Sequence, residues 1–298
     1  MNSYLIIFII AILFLLYNSN KTKNEYLLDD NKSGINIWIY QPIINHNYRN
    51  NFRYPLNNKE YEIDFFKLSN KSIIKNMQYN NCSIHLINKY NIYNYLPDFP
   101  INLKSENKYT EKQALDLMGG MLLYNYGGLW LSPGTICLQV DYSQLFHDIL
   151  NYDIVTFGSS NNYSCDNNKP DNYIIGSKKN NVIIKEYINR LRKDMTGNIE
   201  SLHKHVSSEF NALGESIKVY SKNNKHYDCL SNGTYNLYNR KLNLDDYLGK
   251  TPIVYNNSKL QFISFPYDLL DIQTDYEWFR FMKEHDILNS GINISYYL

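Results

Sequence analysis

The sequence predicts an α/β domain with a mostly parallel sheet flanked by helices, preceded by an N-terminal membrane-anchoring helix. Three observations carry that prediction. From residue 35 onward, short β-branched and aromatic segments alternate with segments of helical spacing, the order that builds parallel strands through crossover helices. The most regular helix, over residues 110–126, runs into Gly127-Gly128, a three-residue apolar strand and a Ser-Pro-Gly turn. A chain of 298 residues with 44% hydrophobic and 15% aromatic content can bury one large core, with no composition break dividing residues 35–298.

Taken in order, residues 4–17 are an unbroken apolar run ending in Tyr at both sides. With residues 1–18 as a whole, it is just long enough for a thin bilayer. It has no basic segment before it and no small-x-small cleavage site after it, which favours an uncleaved single-pass anchor over a signal peptide, with a buried helix as the third reading. Lys21 and Lys23 follow the run, and positive-inside bias keeps the main domain cytosolic on that weak count. Residues 19–34 are polar and aperiodic, a tether. Ile35 to Tyr40 is the first strand and residues 43–58 a loop. Residues 63–68 read as a strand, 69–80 as a helix, 82–87 as a strand and 88–95 as a helix closed by Pro97. In the helix over 110–126, Thr110 and Gln113 form a capping-box pair, and Ala114, Leu117, Met118, Met121, Leu122 and Tyr126 mark a buried stripe. Then come a strand over 153–157, an Asn-rich loop to 172, a strand over 173–176, and helices over 182–193 and 275–285, with 203–260 unparsed.

Thirty basic against 29 acidic residues leave +1, and no Lys/Arg run exceeds two, so nucleic acid is not an expected partner. The four cysteines stand singly, without zinc spacing. His203, His205 and Glu209 offer two ligands at i, i+4 but no third. No Walker lysine loop, GxGxxG or Ser/His/Asp pattern supports a kinase, dinucleotide or hydrolase reading.

Asp116, Tyr124, Tyr126, Gly127, Gly128, Leu129, Trp130 and Leu131 stand at spacings that resemble the signature of DXD-type GT-A glycosyltransferases, the outer-chain mannosyltransferase and capsular polysaccharide synthesis groups. Ile37-Trp38-Ile39 looks like the first-strand motif that lies against the nucleotide base there, and Asn172 to Lys179 looks like the segment beside the sugar. The resemblance covers about residues 35–195, with a looser echo at residues 276–279. It implies a GT-A, Rossmann-like fold, a nucleotide-sugar donor, a glycan or protein acceptor and a divalent cofactor, Mn²⁺ or Mg²⁺. It also marks Trp38, Asp116, Gly127, Gly128, Ser132, Thr135, Asn172 and Lys178 as nucleotide-sugar-binding candidates.

The departures fall where the chemistry is. The family arginine three residues past Asp116 is Gly119, and the DXD triplet is Ser132-Pro133-Gly134. Two carboxylates at a strand end hold the cation that offsets charge on the leaving diphosphate, and serine and glycine do not replace them. No catalytic residue is assigned. Three readings stand: a transferase that neutralises the diphosphate with basic side chains such as Lys178 and Lys179, a fold that keeps binding without catalysis, and a chance helix-turn-strand likeness. Each residue also has a plain meaning. Asp116 suits a surface carboxylate, Trp38 and Trp130 a core, Ser132 and Thr135 a capped turn, and Lys178 a solvated helix approach.

Overall fold

The computed structural model describes residues 34–45, 60–78, 80–101, 111–139, 141–161, 164–195, 212–272 and 274–298. Contacts divide the chain into Met1–Gly34 and Ile35–Leu298, and the sheet and its helices belong to the second unit. The apolar run at 4–17, the tether, Thr110 and the His203/His205/Glu209 trio lie outside the described residues. Among the described residues no helix is long and apolar enough to cross a membrane.

The sheet is mixed and mostly parallel. β1 (Ile35–Tyr40) lies between β4 (Cys82–Ile87) and β5 (Gly128–Leu131), parallel to both. Beyond β5 come β8 (Ser164–Ser177), β7 (Ile154–Asn161) and β9 (Asn224–Tyr227), giving the order β4-β1-β5-β8-β7-β9. β8 runs against both β5 and β7, while β9 is parallel to β7. Two small pairs stand apart: β2 (Ile43–Asn45) with β3 (Glu60–Glu62), and β6 (Thr135–Cys137) with β10 (Phe262–Ser264).

Strand alternation sorts the side chains into two layers. Ile35, Ile37 and Ile39 of β1 and Leu129 and Leu131 of β5 join Ile73 and Met77 of α1 (Asp64–Met77) in one core. Tyr142, Leu145, Phe146 and Ile149, on and before α4 (Ser143–Asn151), close the same core. On the other face, Trp38 and Trp130 lie under α3 (Glu111–Tyr126), which packs on α5 (Val182–Met195). At Gly119, where the resemblance implies an arginine, a Cβ would stand 2.7 Å from the Trp130 ring, so the indole fills the space that a longer side chain would need.

Several expectations change. The strand read at 63–68 and the helix at 69–80 are one helix, α1, because Phe65, Phe66, Leu68, Ile73 and Met77 form a single buried stripe. Four apolar residues in a short run fit either period, and here packing against the sheet decides. The helix read at 88–95 is reduced to one turn, α2 (Ile92–Tyr95). The Asn-rich stretch before 172 is strand rather than loop, paired to β7 with register shifts at Thr156/Phe157 and Gly158/Ser159. Such irregularities accommodate Pro170 and residues that disfavour strands. The helix read at 275–285 is three pieces: a 3₁₀ turn at Thr274–Tyr276, then Glu277–Phe281 and Glu284–Asn289. Asp245-Asp246 opens the helix Leu244–Leu248, where Asn243 and Asp246 cap each other.

Candidate functional site

Because β1 and β5 are parallel, their carboxyl ends share one edge, and this is where open α/β sheets gather ligands. α3 enters β5 through Gly127 and Gly128, so its own first turns return to that same edge. Gly128 makes the corner possible: at φ +107°, a Cβ there would lie 2.1 Å from the Asn36 carbonyl oxygen. Tyr173 completes the edge, its carbonyl accepting the Ser132 backbone N–H at 2.8 Å.

Two residues marked separately in the sequence meet here. The Asn172 side-chain amide donates to the Asp116 carboxylate at 2.7 Å, across 56 positions of sequence. Tyr187 of α5 lies beside them, 2% exposed: its hydroxyl makes no hydrogen bond of regular geometry among the described residues, although the Asn172 side chain is near enough to act on it. Burial first, and then the Asp116 charge, push its phenol well above the usual range. A buried hydroxyl without a well-formed hydrogen bond is costly, and it is the kind of group a bound ligand satisfies.

One turn earlier on α3, Lys112 shares the face of Asp116. Its ammonium donates to Asp268 at 3.3 Å and lies 5.3 Å from the centre of the Tyr173 ring. The Tyr173 hydroxyl donates to the other Asp268 oxygen at 3.0 Å. Burial alone would lower the Lys112 pKa, but Asp268, Asp116 and Asp171 outweigh it and hold the lysine charged. Asp171 is the reverse case. Burial drives its carboxyl up to about 7, against the Tyr173 N–H at 2.9 Å and the nearby Lys112 charge, both of which favour the ionised form. The Asn232 amide also reaches Asp171, at 3.3 Å.

The turn at Ser132-Pro133-Gly134, where the resemblance implies an acidic triplet, is filled. Ser132 to Cys137 are all buried. Gly134, at φ +77°, faces Phe65 and Phe265, 3.3 and 3.4 Å from where its Cβ would stand, and these rings meet Phe279 in tilted contacts at 5.1 and 5.7 Å. The Thr135 hydroxyl is spent on the Ser132 carbonyl at 2.7 Å, a capped turn. Among the described residues no group of three or more His, Cys, Asp or Glu is arranged around a cation. The residues at this corner therefore do not fit the divalent ion that the resemblance implies. Asp141, seven residues on, is exposed and accepts the Ser143 N–H at 2.8 Å.

The remaining candidates stand elsewhere. Trp38 is fully buried, its indole N–H donating to the Gly127 carbonyl at 2.8 Å and one face covered by His85 at 4.4 Å. Burial lowers the His85 pKa to about 4, so this partner is neutral. Lys178 is exposed and follows Ser177, which pairs with Gly128. It therefore sits at the amino end of β5, about 10 Å of strand from the Ser132 edge. Sequence reading missed Lys112, Asp171, Tyr187 and Asp268. Lys112 was within reach through its i, i+4 relation to Asp116; the others come from distant segments.

The fold and this edge define an α/β protein whose mixed, mostly parallel sheet is flanked by helices. Residues 71–194, somewhat less than half the chain, match the family model described as Capsular polysaccharide synthesis protein. The resemblance to the capsular polysaccharide synthesis group is thereby borne out over residues 71–194. A solved structure titled PaToxG Glycosyltransferase is similar over 62% of this chain and 69% of its own, at 13% identity and a TM-score of 0.35. No curated protein matches.

Proposed function

We propose that the protein takes a hexose from a nucleotide sugar and passes it to a glycan or protein hydroxyl, on a scaffold that has given up the acidic clamp for a divalent ion. The observation that carries this reading is the Asp116–Asn172 pair beside the buried Tyr187 hydroxyl at the carboxyl edge of the sheet. A fixed carboxylate, amide and phenol in a dry site orient sugar hydroxyls without reorganising. Trp38 and Lys178 have no part in it, being respectively covered and at the other end of β5.

Thermal stability in UDP- and GDP-sugars, with Mn²⁺ and with chelator, tests the reading, since a ligand of the folded state raises the midpoint. Stabilisation that survives chelation, together with donor hydrolysis lost in Asp116→Ala, supports it. Stabilisation without turnover leaves the second reading, a non-catalytic binder of a glycan, nucleotide or protein, which the ring-filled corner at Gly134 favours. No response to any nucleotide sugar sinks the transferase reading.

The reading includes attachment to a membrane by residues 4–17, which alkaline carbonate extraction of the full chain tests. For the side of the membrane two features oppose each other. Lys21 and Lys23 favour a cytosolic domain, whereas Cys229 is disulfide-bonded and disulfides persist in oxidising compartments. Protease protection of intact vesicles decides between them.

A further inference from the structure

We infer that the Lys112–Asp268–Tyr173 array is a seat for the ring of a neutral glycan, one helical turn from the Asp116–Asn172 pair, and that it engages sugar hydroxyls and not a phosphate. This deepens the proposed function by assigning the uncharged acceptor to a face of its own. The array is reachable: the Lys112 and Asp268 side chains keep 28% and 20% of their surface exposed. Its polar groups are held in place, because Asp268 accepts from both Lys112 and Tyr173, at 3.3 and 3.0 Å. Lysine retains donors beyond the one it gives, and a carboxylate retains lone pairs, so a hydroxyl placed between them both donates and accepts.

Charge selects the ligand class. Lys112 and Asp268 cancel, and Asp116 and Asp171 lie close enough to act on Lys112 electrostatically. The Lys112 ammonium is therefore already compensated, and the charge of Lys241, a second cation that interacts with Asp171 and Asp268, is disfavoured first by burial. A diphosphate arriving here meets carboxylates, with no cation-binding corner beside it to offset the repulsion. A hydroxyl-rich uncharged ring meets alternating donors and acceptors and the side of the Tyr173 ring, the mixture that recognises carbohydrate.

An array of neutral oligosaccharides, screened in chelator and without nucleotide and followed by calorimetry on the best binder, tests this. Saturable binding that changes less than threefold between low and moderate salt is expected, lost at least tenfold in Lys112→Met and in Asp268→Asn and partly kept in Lys112→Arg. Circular dichroism and the thermal midpoint check that each variant folds. The double variant Lys112→Met/Asp268→Asn removes both charges together. Near-normal stability with no glycan binding supports the seat, and retained glycan binding shows that the pair is only structural and overturns it. Nucleotide-sugar binding with no glycan bound also overturns the seat while leaving the proposed function standing. Failure of both ligand classes removes both.

Discussion

Rebuilding the acidic triplet at the Ser132 turn, by Ser132→Asp/Gly134→Asp and by Gly134→Asp alone, is expected to destabilise the protein without creating a cation site. Gly134 has φ +77°, where an L side chain costs about 1–2 kcal/mol. Its Cβ would stand 3.3 Å from Phe65 and 3.4 Å from Phe265, so the new carboxylate enters a cluster of aromatic rings. An uncompensated buried charge costs about 3–5 kcal/mol. The sum, about 5 kcal/mol, corresponds to a midpoint lower by about 10–20 °C in a domain of this size. Differential scanning fluorimetry with and without Mn²⁺ measures it. An unchanged midpoint, or a rise on adding Mn²⁺, would refute the claim that aromatic packing has taken the cation's place.

Three more outcomes are expected from separate parts of the molecule. Gly128→Ala should prevent folding or lower stability by about 3 kcal/mol or more, since the added methyl overlaps the Asn36 carbonyl; soluble yield and urea unfolding measure it. Trp38→Phe should cost about 2–3 kcal/mol in urea unfolding, by opening a small cavity and stranding the Gly127 carbonyl that the indole N–H satisfies. Asp171 has a folded pKa of about 7 against an ordinary 3.8, so between those values the folded state holds the extra proton and stability falls as pH rises. Asp171→Asn should therefore match the wild type near pH 4 and exceed it at pH 8, by at most about 4 kcal/mol. Equal stability at both pH values would show that the carboxyl is not held protonated.

The sequence by itself determined the alternation of strands and helices, the helix that ends at Gly127-Gly128, the short strand after it, and the absence of carboxylates at residues 132–134. These are local matters: period, backbone freedom at glycine and residue identity act within a few positions. It also singled out Asp116 and Asn172, although not their contact. Only the tertiary structure decided that 64–77 is one helix, that the Asn-rich stretch is an antiparallel strand, and that Gly134 faces rings rather than an open cleft. The same holds for Asp268 against Lys112 and Tyr187 against the Asp116–Asn172 pair. Segments tens to well over a hundred positions apart meet there because the chain folds back over the sheet edge, and no period or spacing in a linear sequence encodes which buried charges will face one another.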